Sequence, residues 1–303
     1  MSERMLRAGV DIGGSKTLAV LCAEGDPTVL ATATAPTPAK AGGESILDVA
    51  AALVRAVAGR VDGELAGIGV GAAGVIDPDD GTIVATGDAF DGWAGTAINA
   101  GLAARLGDVP VRADNDVNVF LLGELAAAGH PRHALAVTVG TGVGGALYVD
   151  GRLLHGGPTG AGEIGHIGDY GPERCSCGRT GHLEAYTSGT ALTRRYARAG
   201  GLVVPDAGAV ADAALHGDPV AIEVFQQAGH HLGSAIAQAG GLLGVDLAIL
   251  GGGVLRSWPL LEKPLLAALQ AQPLLSGEPV TIRRSVLGEA AVAVGATRLF
   301  DYQ

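Results

Sequence analysis

Short apolar runs that stop abruptly at glycine recur along this chain. Leu6 to Asp11 leads through Gly13-Gly14 into a second apolar run, Lys16 to Ala23, and this alternation predicts a hairpin of two strands. The same design returns where Leu135 to Val139 runs into Gly140-Thr141-Gly142-Val143-Gly144-Gly145 and then Ala146 to Val149. Two further apolar strands end in glycines: Gly67 to Val70 before Gly71-Ala72-Ala73-Gly74, and Leu247 to Leu250 before Gly251-Gly252-Gly253. Between them, apolar positions recur at a spacing of roughly 3.6, predicting helices over Glu44–Val61, Asp116–Gly129 and Asp218–Leu243. A strand Val109–Ala113 precedes the second of these helices, and a strand Val280–Arg283 precedes a last helix, Glu289–Phe300. Each half of the chain therefore carries a glycine-tipped hairpin followed by a strand that stops at glycines. That self-similarity predicts a duplicated α/β unit with an interdomain cleft.

A chain of 303 residues fits two domains of about 150 residues each. We expect a small N-terminal α/β domain over 1–117, completed by the C-terminal helix 289–303, and a large α/β domain over 118–288. Glycine, at 50 residues, follows no collagen-like period and instead marks strand ends. A net charge of -11 provides no broad basic field for nucleic acid or an anionic membrane, so a small-molecule partner is expected. No apolar run is long enough to span a bilayer, and Asp11 interrupts any signal-peptide core, which points to the cytoplasm. Cys22, alone in an apolar strand, suits a reducing compartment.

The residues between Gly162 and Glu184 hold the most concentrated chemistry. His166, Cys175, Cys177 and His182 are four zinc-type ligands among glycines that let a short loop fold round an ion, and a site closed by four protein ligands is structural. Two carboxylates, Glu163 and Glu184, flank them.

Phosphate handling is suggested by Asp11-Ile12-Gly13-Gly14-Ser15-Lys16. Bare glycine amides approach phosphate oxygens, Lys16 adds positive charge, and Asp11 can hold hydrated magnesium. Lysine occurs only at Lys16, Lys40 and Lys263 among 20 basic residues, so its position after a Gly-Gly turn carries information. A strand follows the turn, which separates it from the dinucleotide fingerprint and the P-loop, where glycines open a helix. Gly140-Thr141-Gly142 offers a second such turn with a hydroxyl. Asp114-Asn115-Asp116-Val117-Asn118 stands at a strand-to-helix junction, where Asp114 or Asp116 could accept the proton of a hydroxyl under phosphorylation and where helix capping is equally at home.

Together these motifs resemble the ROK family of bacterial sugar kinases and repressors, within the actin-like ATPase (ribonuclease H-like) superfamily. The resemblance covers essentially the whole chain and rests on six motifs. They are Asp11 to Lys16, the pair Asn115-Asp116, Gly140 to Gly145, Gly162 to His166, Cys175 to Gly181, and the glycines from Gly251. It implies that Asp116 is the general base on the sugar 6-hydroxyl, and that Asn115, Asp116, Glu163, His166 and Glu184 bind the sugar. It also implies that the turns at Gly13, Gly14, Ser15 and Lys16 and at Gly140, Thr141 and Gly142 hold the phosphates of ATP with Mg2+, while Gly251, Gly252 and Gly253 lie near the adenosine. His166 would hold a structural Zn2+ through one ring nitrogen and address the sugar with the other.

Three departures from the family pattern bear on the sites. His182 stands where a third cysteine is usual, Ala73 where proline is common, and Asp88-Ala89-Phe90-Asp91-Gly92-Trp93 lacks an asparagine before Gly-Trp. Glucose is the leading substrate, with N-acetylhexosamines and fructose as alternatives, and a homodimer or homotetramer is expected. A catalytically silent, sugar-responsive regulator is the other class, which the acidic chain and its early Asp11 hairpin disfavour as a DNA binder.

Overall fold

A computed structural model describes residues 4–301 apart from 130, 158 and 159. Its elements in chain order begin with β1 (Met5–Ile12), β2 (Lys16–Ala23), β3 (Val29–Pro36), α1 (Gly43–Ala58), β4 (Glu64–Ala72), β5 (Val75–Ile76) and β6 (Ile83–Ala85). They continue with α2 (Ile98–Leu106), β7 (Val111–Asn115), α3 (Asp116–Ala128), β8 (Ala134–Val139), β9 (Val143–Val149) and β10 (Arg152–Leu153). Then come α4 (Glu184–Thr187), α5 (Gly189–Arg198), α6 (Ala207–Leu215), α7 (Pro219–Leu243), β11 (Leu247–Gly251), α8 (Trp258–Ala271), β12 (Thr281–Arg284) and α9 (Ala291–Ala296). The chain divides into two compact units: 1–131 with 151–160 and 285–303, and 132–150 with 161–284.

The first unit is built on a sheet of order β3-β2-β1-β4-β7, in which β1 and β2 form an antiparallel hairpin and β4 runs parallel to both β1 and β7. Alternation sorts its two faces. Leu6, Ala8, Val10 and Ile12 of β1 join Ile68, Val70 and Ala72 of β4 in one apolar cluster with Ile46, Leu47 and Val54 of α1. On the opposite face Gly9 of β1 and Gly67, Gly69 and Gly71 of β4 leave a bare strip, beside which Val20 and Cys22 of β2 pack against Ala293 and Val294 of α9. α9 lies so close that a Cβ on Gly9 would stand 1.8 Å from the Ala293 carbonyl oxygen, and one on Gly69 1.8 Å from that of Ala296.

The second unit repeats the plan. β8 and β9 are an antiparallel hairpin, β8 pairs in parallel with β11, and β11 with β12. Its core gathers Val137, Val139 and Leu250 with Phe225, Leu232 and Ile236 of α7 and Leu265 of α8. Asp218 caps α7 by accepting from the Val220 and Ala221 amides, Pro219 follows at the first helical position, and Gly244 closes the helix at φ 66°.

Several expected boundaries move. α3 belongs to the first unit rather than to a domain starting at 118, because it packs against α9 and β4. β7 extends through Asp114 and Asn115, since β4 offers ladder partners as far as Gly71 and Ala72. β9 starts at Val143, so Gly144 and Gly145 lie within a strand. The expected helix Glu289–Phe300 is a 3-10 turn at Gly288–Ala290, then α9, then closures of the tighter kind from the Arg298 and Leu299 amides to Gly295 and Ala296.

Replacing Gly69 with alanine inserts a methyl group where the α9 backbone already sits. Gly69→Ala is expected to cost at least about 2 kcal/mol in urea unfolding, whereas Gly151→Ala, whose Cβ would meet no atom within 4 Å, should cost only what its φ of 81° imposes.

Candidate functional site

In the first unit, strand register collects the acids. Asp11 of β1 and Asp114 of β7 both pair with Gly71 of the intervening β4, so the carboxyl ends of the two outer strands finish at one level. The turn after Asp11 is closed by the Gly13 amide donating to the Lys16 carbonyl, 3.1 Å, and leaves Gly14, Ser15 and Lys16 exposed. The Lys16 ammonium lies 2.8 Å from Glu289.

Asn115 is the N-cap of α3: its side-chain oxygen accepts from the Val117 amide at 2.9 Å and the Asn118 amide at 3.4 Å, while its amide donates to the Gly74 carbonyl. Asp116 opens the helix. Burial is the largest cause that pushes its carboxyl up to about 6, against backbone hydrogen bonds that pull it down. Asp11 is pushed up to about 7, first by burial and then by the charge of Asp116, with Lys16 opposing. Two carboxylates whose fields overlap in this way are a setting that a divalent cation or a proton relieves.

Asp114, which the sequence left equal to Asp116 as a proton acceptor, is buried and fully engaged. It accepts from the Asn115 amide at 2.6 Å and the Asn118 side chain at 2.9 Å, and its second oxygen lies 2.7 Å from Nε2 of His155. Sequence reasoning missed His155, because nothing local marks a partnership across 41 positions.

In the second unit the Gly140 turn is tied down on both sides. The Gly140 amide donates to the Gly142 carbonyl, the Gly189 amide donates to Gly140, and the Thr190 hydroxyl donates to the Thr141 carbonyl. Glu184 holds the same turn by accepting from the Val143 amide at 3.0 Å, and its other oxygen accepts from the Ser176 hydroxyl at 2.5 Å. At the end of β11, Gly252 adopts φ 95° and a Cβ there would stand 2.4 Å from the Val139 carbonyl oxygen, so only glycine fits; Gly251 is buried and Gly253 opens a 3-10 turn.

His166, Cys175, Cys177 and His182 come together with ligand atoms all within 4.8 Å of one another. A tetrahedral zinc with about 2.3 Å to sulfur and about 2.0–2.1 Å to nitrogen sets its ligand atoms about 3.3–3.8 Å apart. Here the two Nδ1 atoms stand 3.3 Å apart, Cys175 Sγ stands 3.8 Å from His166 Nδ1, and Cys177 Sγ 3.2 Å from His182 Nδ1. The donor set and its spacing fit zinc. Gly178, at φ 88°, turns the chain between the second cysteine and His182. Burial first, and the neighbouring His166 second, hold His182 below the ordinary imidazole range, in the neutral form that ligates. His166 presents Nδ1 to this cluster and has Nε2 3.9 Å from the exposed Glu163.

The comparisons with known proteins agree along the whole chain. The family model that matches, over residues 7–303, is that of the ROK family. A glucokinase of Halalkalibacterium halodurans is 32% identical over 328 aligned residues, covering 100% of this chain and 97% of that protein. A glucokinase of Thermotoga maritima is 34% identical, covering 85% of this chain and 84% of that one. Among solved structures, a ROK family glucokinase from Streptomyces griseus in complex with glucose and AMPPNP is similar with a TM-score of 0.81 and 29% identity, covering 97% of this chain and 98% of that one.

The purified protein is expected to carry about one zinc per chain by elemental analysis. Cys177→Ser should lower that content several-fold and lower the unfolding temperature, and added zinc should restore neither fully.

Proposed function

The chain belongs to the ROK family, and from that membership we propose that it is a sugar kinase that transfers the γ-phosphate of ATP to the 6-hydroxyl of a hexose, with glucose as its substrate. The observation that carries this reading is the full-length likeness to glucokinases, one of them bound to glucose and AMPPNP. The site chemistry supports it. Phosphoryl transfer to an alcohol needs a carboxylate at the hydroxyl and charge neutralisation at the phosphate, with little covalent work otherwise.

Asp116 has the properties of the base: it starts a helix whose cap is supplied by its neighbour Asn115, and burial has brought its proton affinity toward neutrality. Asp114 is already spent on three partners, which leaves the proton-accepting role to Asp116. The turn Gly13 to Lys16 and the turn Gly140 to Gly142 supply amides and a lysine for the phosphates, and Gly251 to Gly253 a bare backbone for the nucleoside. Mg2+, held through water by Asp11, would neutralise charge on the phosphates. Asn115, Glu163, His166 and Glu184 are assigned to the remaining sugar hydroxyls, with His166 oriented by the zinc loop and using Nε2. Asn115 has one side-chain N–H left after capping, enough for one hydroxyl.

The test is ADP release from MgATP over a panel of glucose, mannose, fructose, N-acetylglucosamine and N-acetylmannosamine. Turnover should be highest with glucose, and Asp116→Ala should lower kcat by about 10²–10⁴-fold. Saturable sugar binding without turnover on any member would overturn the kinase reading.

The base and the Asp11 carboxylate assigned to Mg2+ must both be ionised, so kcat/KM should fall as pH drops through about 7 and then about 6, and be level above that range. Stability has the opposite sign. A carboxyl whose folded pKa is raised from 3.8 to about 6 holds its proton in the native state while the unfolded chain has lost it, so stability declines as pH rises through that window. Asp116→Asn removes that decline. It should be inactive yet more stable than the parent above pH 7, by on the order of 1–3 kcal/mol in denaturant unfolding.

A further inference from the structure

We infer that His155 is a positioning residue for the proton-accepting Asp116, acting through Asp114 on the strand-to-helix junction that carries the base; the inference rests on the kinase reading above. His155 lies in the stretch 151–160, which belongs to the first unit although it is separated in sequence from the strands it joins. Its Nε2 stands 2.7 Å from Oδ2 of Asp114. The Asp114 side chain is 6% exposed, and among the described residues His155 is the basic group within ion-pairing distance of it. The two other donors to Asp114, the Asn115 amide and the Asn118 side-chain amide, are neutral and both meet Oδ1. Among the described residues, His155 alone thus serves the second oxygen.

Those two neutral donors define what the carboxylate does. One comes from the N-cap residue of α3 and the other from the first turn of the same helix, so Asp114 ties Asn115 and Asn118 together across Asp116. The orientation of Asp116 therefore depends on Asp114 remaining a fixed carboxylate. A buried carboxylate without a positive partner is costly, and it escapes that cost by taking up a proton or turning toward water. Either change breaks the bracing of the turn. The hydrogen bond that His155 donates to Asp114 is the largest cause that raises His155 above the ordinary imidazole range, which favours the charged partner that Asp114 needs. The His155 side chain is 39% exposed, so it can be exchanged without opening a cavity in the core.

The experiment compares the full-length parent with His155→Ala, His155→Gln, Asp114→Asn and the double variant His155→Ala/Asp114→Asn. Two readouts are taken: steady-state kinetics with the preferred sugar, and hydrogen exchange at the Val117 and Asn118 amides, which donate to the Asn115 cap. His155→Ala should lower kcat by roughly tenfold or more, a larger factor than any rise in the sugar KM, because the base is displaced whereas Asn115 is one of four assigned sugar contacts. The same variant should speed exchange at the two amides by about tenfold. His155→Gln, whose amide can donate to Oδ2 but carries no charge, should recover only part of both losses. The double variant should be no worse than the poorer single one, since both changes break one link.

A His155→Ala variant with parental kcat overturns the inference, as does an additive double variant or slow, parental exchange at both amides. Exchange needs no turnover. If the parent phosphorylates no sugar, the kinase reading fails, while the exchange data still decide whether His155 braces the junction.

Discussion

The construction of the first unit depends on a strip of backbone without side chains. Gly9 on β1 and Gly67, Gly69 and Gly71 on β4 alternate with buried aliphatic residues, so one face of the sheet is apolar and the other carries a bare strip beside Val20 and Cys22 of β2. α9 occupies that strip at distances no Cβ would tolerate. Its own sequence, Ala-Val-Ala-Val-Gly-Ala, is small for the same reason: Gly295 has no room for a Cβ beside the Val119 carbonyl oxygen of α3. Three layers are thus drawn together by the absence of atoms. Along the strip, dispersion contacts between close backbones replace interdigitating side chains, which makes the packing there intolerant of even one methyl group.

The acids of the first unit follow from this arrangement. Because β4 separates β1 from β7 and is level with both at Gly71, Asp11 and Asp114 end their strands beside a residue with no side chain to intervene. α3 then begins at once, and Asp116 emerges from its first turn. Burial raises the proton affinity of both Asp11 and Asp116, and the charge of Asp116 adds to the rise at Asp11. In the second unit one side chain integrates two loops. Glu184 reaches the Val143 amide beside the glycine turn and the Ser176 hydroxyl between the two cysteines, so the Cys/His loop and the glycine turn share a fastener.

What the sequence made legible was local. Both hairpins, the metal-type cluster and the strand-to-helix junction are each encoded within a few residues, where alternation, glycine and ligand spacing speak directly. The periodicity of Gly67, Gly69 and Gly71 was also visible and pointed to a strand, yet it could not say that a helix more than 200 positions later would fill the strip they leave. The strand limits shifted for a related reason: Asp114 and Asn115 have low intrinsic preference for a strand and join β7 because β4 provides hydrogen-bond partners for them. The partnership of His155 with Asp114 had no sequence signal, since a histidine in a glycine-rich stretch is unremarkable until the chain has folded. Spacing alone left Asp114 and Asp116 open and the family resemblance pointed to Asp116; what the fold adds is a physical difference between them, the three hydrogen-bond partners of Asp114.

The bare strip also sets an order in time. A ribosome releases the sheet of the first unit early, with one face covered by α1 and the other presenting a glycine strip beside the side chains of Val20 and Cys22, and the helix that covers this second face leaves the exit tunnel only after the whole second unit. The intervening stretch holds all of the second unit, which can therefore reach its native contacts while the first is still waiting. Vectorial synthesis ordinarily lets the N-terminal part mature first; in this chain the part that starts first finishes last, and a nascent chain stalled anywhere before residue 291 would hold half a sheet open.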